Sequence, residues 1–212
     1  METTTDDVDW SRKVPLRYRC DVTVIGGGIA GVCAACAAAA GGASVVLVER
    51  FGAFGGNATV GGVGNWSGET AGQGEIFDEI IRMQREWDSV APYPGPANGF
   101  ENTKRVFDHE ILAVILQELV LKYDVTPLLH TRFVDIQRDG RRLGPALVAG
   151  ASGLEGLEAK VYVDASGAGA VARASRCSLL PPGDLGPLPP SLMFFVRERP
   201  EAQDRQLPEN HA

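Results

Sequence analysis

Three glycines and one acid carry the clearest chemistry in the chain. Gly26, Gly28 and Gly31 stand at GxGxxG spacing, and Glu49 follows at the end of the next apolar run. Each glycine has a separate task in holding a dinucleotide. Gly26 allows a tight turn, Gly28 lets backbone approach a pyrophosphate, and Gly31 lets a helix sit close on a sheet. The phosphates would meet unpaired N–H groups and the positive end of a helix dipole. Glu49 stands where a carboxylate accepts hydrogen bonds from ribose hydroxyls. Ile25, Ile29 and Ala30 flank the glycines and join them in the candidate cofactor-binding set.

The residues after Glu49 bear on which dinucleotide is held. Arg50 is followed by Phe51, Gly52, Ala53, Phe54, Gly55, Gly56, Asn57, Ala58 and Thr59. A nicotinamide domain would proceed to its next helix, whereas a loop of glycines and small polar residues can wrap an extended cofactor. FAD is therefore expected over NAD. Arg50, Gly55, Gly56, Asn57 and Ala58 are candidates for its pyrophosphate and flavin side.

Acid–base and thiol candidates are few. His109 follows a helix cap at Asp108 and reads as a solvated first-turn residue. His130 ends a strand, where a hydrogen-bonding role near backbone is favoured over catalysis, and His211 lies in the tail. Cys33 and Cys36 form a CxxC inside an alanine-rich helix, where small buried side chains serve packing. No zinc spacing emerges from the four cysteines. The catalytic residues are unassigned, and no metal site is expected.

These groups need a βαβ unit to position them. Val22 to Ile25 reads as the first strand, the small-residue run after Gly28 as a helix, and Ser44 to Val48 as the second strand. Helices are expected over Glu75–Trp87, with Ile76, Ile80, Met83 and Trp87 on one face, and over Asp108–Lys122, with Ile111, Leu112, Ile115, Leu116 and Leu119 inward. Between them Ala91 to Phe100 is a Pro/Gly loop. Val125 to Leu129 reads as a strand whose Pro127 demands a sheet edge. Arg132–Gln137, Ala146–Ala149 and Leu157–Asp164 then form an antiparallel meander.

The segments GGGIAG, VERFGAFGGNAT, FDHEILAVILQELVLKYDVTPLLHTRFVDI and VYVDASGAGAVAR occur in this order. Together they resemble the N-terminal half of the FAD-dependent oxidoreductases of the fumarate reductase and glutathione reductase group, over about Val22 to Val196. The resemblance implies an α/β, Rossmann-like FAD-binding fold in three layers, with a parallel central sheet and an antiparallel β-meander. It implies that Gly26, Gly28, Gly31 and Glu49 hold the ADP part, and that Arg50 with Gly55 to Ala58 line the pyrophosphate and flavin side. Phe133 would place backbone against adenine, and Ala165 to Gly167 would match an Ala-Thr-Gly-like turn. Ala168 and Ala170 depart from the pattern, since similar proteins often carry acids there.

The net charge of -7 gives no basic surface for nucleic acid or anionic membrane. No apolar run is long enough to span a bilayer, and the acidic start METTTDDVDW is unlike a signal peptide. A cytoplasmic protein is expected. An N-terminal extension over 1–20, a FAD-binding domain over 21–180 and the start of a substrate domain over 181–212 account for the 212 residues. Ser191 to Val196 looks like that domain's opening strand. The expected function is flavin-mediated hydride transfer on an unidentified small molecule, with a second half or a partner chain supplying the substrate domain. The alternative is a non-catalytic or truncated flavoprotein subunit that acts through association with another chain.

Overall fold

A computed structural model describes residues 9, 11–67, 72–91, 105–180 and 192–193. The chain divides into two units, Met1–Pro181 and Pro182–Ala212, and every element below lies in the first. In chain order they are β1 (Leu16–Ile25), α1 (Ile29–Ala40), β2 (Val45–Val48), β3 (Asn65–Trp66), α2 (Glu75–Glu86), β4 (Arg105–Val106) and α3 (His109–Lys122). There follow β5 (Thr126–Leu128), β6 (Arg132–Asp139), β7 (Arg142–Gly150), β8 (Gly153–Asp164) and α4 (Ala170–Ala174).

The main sheet has the order β5-β2-β1-β8-β7-β6. β2, β1, β5 and β8 run parallel to their partners within the β5-β2-β1-β8 half, while β6, β7 and β8 form an antiparallel meander. β8 joins the two halves. Its first residues pair with β7, as in Gly150↔Gly153, and its length from Gly156 to Asp164 pairs with β1. β5 occupies the edge, where the missing N–H of Pro127 removes no ladder bond.

All four residues of β2 are buried, as they must be in a strand covered on both faces. Val45 and Leu47 point with Val24 into a core shared with the helices. Val46 and Val48 point with Ile25 the other way, onto Ile136, Ala146, Val148 and Leu157 of the meander. The alternation of strand side chains thus builds three layers: helices, parallel strands and meander.

α1 is mostly alanine, which favours helix and lets the axis lie close to the sheet. α3 begins where the Asp108 carboxylate accepts the Glu110 and Ile111 N–H groups at 2.9 and 3.0 Å. α2 packs beside it. Glu79 of α2 accepts bonds from Lys122 and from the Tyr123 hydroxyl, the latter at 2.7 Å, and the Lys122 bond foremost holds its carboxyl below the usual range.

Some expectations shift. β1 starts at Leu16 rather than Val22, because β8 is long enough to pair with it from Gly156 onward. The buried face of α2 is Phe77, Ile80, Ile81 and Gln84, while Trp87 is half exposed. The strand expected at Ser191–Val196 lies outside the described residues except for Leu192 and Met193, and the Pro/Gly loop does so except for Ala91. No described helix is long and apolar enough to cross a membrane.

Candidate functional site

The parallel strands end together at a glycine-built cleft, the position at which open α/β sheets take ligands. Gly26 follows β1 with φ +104°, and its N–H donates to the Val48 carbonyl at 2.8 Å. A Cβ there would lie 2.4 Å from the Ala165 carbonyl oxygen, so glycine is required twice over. At Gly31 a Cβ would come within 1.8 Å of the Gly26 carbonyl oxygen. Gly28 differs. It caps α1 with an ordinary φ of −65°, and a Cβ there would meet nothing within 4 Å. That open space lies at the N-terminus of α1, whose first-turn N–H groups have no partner within the helix.

Glu49 closes this turn from the end of β2. It is only 5% exposed, and its two oxygens accept the Gly27 and Phe51 N–H groups at 2.7 and 2.9 Å. Each carboxylate oxygen keeps a second lone pair for a ligand hydroxyl. The acid therefore braces the glycine turn as well as facing the cleft, a task the spacing alone did not reveal.

The loop after Glu49 folds back onto the glycines. The Gly55 N–H donates to the Gly27 carbonyl at 2.7 Å, and Gly56 packs on Gly28, where a Cβ would sit 3.2 Å from its Cα. Gly56–Ala58 form a single 3₁₀ turn, anchored below by the buried Phe54 and by the Thr59 hydroxyl, which donates to the Phe54 carbonyl at 2.6 Å. The Arg50 guanidinium stands 4.6 Å from the centre of the Phe51 ring.

A third segment arrives from the end of β8. The Ala165 N–H donates to the Ile25 carbonyl at 2.9 Å. The Asp164 carboxylate then accepts the Ser166 hydroxyl at 2.6 Å and the Ala172 N–H at 3.0 Å, shaping the turn into α4. Burial pushes this carboxyl up, but the combined hydrogen bonds outweigh burial and hold it below the usual range.

Two adjoining cavities result. The smaller, about 190 Å³, is lined by Ile25 and Phe133 together with Val48, Thr131, Arg132, Ser166, Ala168 and Ala170. The larger, about 500 Å³, is lined by Gly28, Ile29, Ala30, Gly55, Gly56, Asn57, Ala58, Ala165 and Gly167. Gly26, Glu49, Arg50 and Ser166 line both. Of the candidate cofactor residues, Gly31 alone lines neither, since it serves the contact between α1 and the turn.

Phe51, Val60, Gly61, Val63, Asn65 and Trp66 also line the larger cavity, and Thr131 and Arg132 the smaller. Apart from their nearness to quoted motifs, nothing in their types or spacing marked them. His130, with φ +49°, lines neither cavity; its imidazole packs on Gly52, and its N–H donates to the Phe51 carbonyl at 3.0 Å. Burial raises the Cys33 and Cys36 thiols to about 11 and about 12, in keeping with packing rather than redox work.

The family model for FAD dependent oxidoreductases matches residues 21–205. The chain belongs to this family. FAD is accordingly its cofactor, and the glycine cleft offers the space and the free helix N-terminus that a dinucleotide needs. No curated protein matches the chain in sequence. A geranylgeranyl bacteriochlorophyll reductase-like protein from Thermoplasma acidophilum shares the fold, with 18% identity and a TM-score of 0.57 over 74% of this chain and 42% of that one. THI4 from Thermovibrio ammonificans has 17% identity and a TM-score of 0.53, over 74% of this chain and 61% of its own. The myxobacterial chondrochloren halogenase CndH, described as a variant of FAD-dependent halogenases, has 18% identity and a TM-score of 0.51, over 71% and 38%. The chain thus spans less than two thirds of the length of each of these proteins.

Proposed function

We propose that the chain holds FAD in the two adjoining cavities and that the flavin exchanges a hydride with a small molecule. The observation that carries this reading is the contrast among the glycines: Gly26 and Gly31 are closed by backbone, while Gly28 opens onto empty space at the helix N-terminus. In this reading Ile25 and Phe133 border the adenosine, with Glu49 accepting its ribose hydroxyls. The N-terminus of α1, Gly28 and Gly56 receive the pyrophosphate, and Asn57, Ala58, Ala165 and Gly167 border the flavin side. Arg50 contributes a positive charge where the two cavities meet. Bound flavin supplies the redox chemistry, and the protein supplies orientation, exclusion of water and electrostatics.

We further propose that substrate-facing groups come from outside the described residues, either from further chain or from a second subunit. Among the described residues the larger cavity shows no ionisable lining residue besides Glu49 and Arg50, which are engaged at its shared end. The test is stepwise anaerobic reduction of the FAD-loaded chain with dithionite, which can deliver electrons singly. Direct conversion of oxidised to fully reduced flavin supports two-electron, hydride-type chemistry; accumulation of one-electron-reduced flavin midway contradicts it.

A further inference from the structure

Resting on the assignment of the cleft to FAD, we propose that Trp66 is the wall against which the flavin ring is set, held in place by Gln84, Phe77 and Phe107. Trp66 lines the larger cavity in the part not shared with the Arg132–Phe133 pocket.

The indole is fixed on three sides. Its Nε1–H donates to Gln84 Oε1 at 2.9 Å, the Phe77 ring meets it edge-on at 5.2 Å and 78°, and the Phe107 ring lies tilted against it at 4.6 Å. Its backbone is held by the pairing of β3 with β4, and next to it the Phe107 N–H donates to the Gly64 carbonyl at 2.9 Å. Trp66 is 9% exposed, so only a narrow strip of it faces the cavity.

Gln84 is the second observation. It is fully buried, and among the described residues its Nε2 has no hydrogen-bond partner. Because an indole only donates, it captures the amide oxygen and leaves the amide nitrogen turned away. A buried donor without a partner is unfavourable, but leucine or methionine would leave the Trp66 Nε1–H unpaired in its place, so either choice carries one orphaned donor. What glutamine adds is orientation. Packing on two phenyl rings leaves an indole a choice about χ2, which the hydrogen bond removes.

The distribution of charge points the same way. Among the described residues, the charged ones lining the larger cavity, Glu49 and Arg50, are those it shares with the smaller one. Among the described residues its lining beside Trp66 includes Asn57, Val60, Val63 and Asn65, a neutral surface with two amides. Such a surface suits an uncharged heteroaromatic ring and gives a phosphate little.

The test uses FAD and ADP, which share the adenosine diphosphate half and differ by the flavin. Trp66→Ala should weaken FAD by roughly three- to tenfold, the range for one aromatic contact, while leaving ADP affinity unchanged. Trp66→Phe keeps an aromatic core and should brighten the fluorescence of bound FAD, because an indole in contact quenches flavin emission and a benzene ring does not. Gln84→Met should move both readouts in the same direction by less, with little change in melting temperature, since the unpaired Gln84 Nε2 is exchanged for an unpaired Trp66 Nε1–H. Equal losses for FAD and ADP, or unchanged bound-flavin fluorescence in folded Trp66→Phe, would overturn the role of Trp66. Failure of the unmodified chain to bind either ligand would remove the FAD assignment and this role with it.

Discussion

Substituting Gly28 should separate cofactor binding from folding, and substituting Gly31 should not. At Gly28 a new Cβ meets nothing within 4 Å, and the backbone angles, φ −65° and ψ 177°, suit any residue. Gly28→Val gains from a less flexible unfolded chain and loses a favourable N-cap glycine, two effects that largely offset, so stability should change by less than about 1 kcal/mol. The valine then occupies the space a pyrophosphate would take. Relieving such overlap costs about 1–3 kcal/mol, which corresponds to about 5–150-fold in FAD affinity. At Gly31 the added carbon would stand 1.8 Å from the Gly26 carbonyl oxygen, against an ordinary contact of 3.4 Å or more. Helix α1 would have to move by roughly 1.5 Å, and overpacking of this size costs about 3 kcal/mol. Gly31→Ala should therefore lower the melting temperature by about 6–12 °C. Thermal melts of the cofactor-free proteins and calorimetric FAD titrations measure both quantities. The reasoning is refuted if Gly28→Val binds FAD as the parent does, or if it melts as early as Gly31→Ala.

Two further outcomes follow from buried groups. Glu49→Ala leaves the Gly27 and Phe51 N–H groups without acceptors, at about 1–3 kcal/mol each, whereas Glu49→Gln keeps one amide oxygen; melting temperature and FAD affinity should both fall in the order parent, Gln, Ala, and a parental melt for Glu49→Ala would disprove the bracing role. The Cys33 and Cys36 thiols are raised from 9.0 to about 11 and about 12, so the folded state favours the neutral form. Their contribution to stability is complete below pH 9.0 and declines as pH rises toward 11 and 12. Cys36→Ala should flatten that alkaline decline in melting temperature, and iodoacetamide should label exposed Cys177 in the native protein but Cys36 only after unfolding; rapid native labelling of Cys36 would contradict its burial.

The fold was legible where one local pattern had one physical solution. The glycine spacing, the alanine-rich helix and Pro127 at an edge each leave few alternatives, and β5-β2-β1 came out in the order they require. Strand alternation also marked the meander. Its return to the sheet was readable too, but the extension of β1 over Leu16–Cys20 was not, because nothing local to those residues announces a partner as distant in sequence as Gly156–Ala159. In the cleft, Gly26, Gly28 and Glu49 were readable because their chemistry is tied to spacing. Trp66 and Gln84 were not. Their hydrogen bond joins a two-residue strand to a helix turned one residue from the face the periodicity suggested, and it exists only in the folded packing.

The central claim is that this chain binds FAD in the glycine cleft. Equilibrium titration of the purified, cofactor-free chain with FAD, followed by the visible flavin spectrum and by competition, tests it most directly. One FAD should bind per chain, excess ADP should displace it, and FAD should bind more tightly than NAD. The absence of FAD binding, or tighter binding of NAD, would contradict the account.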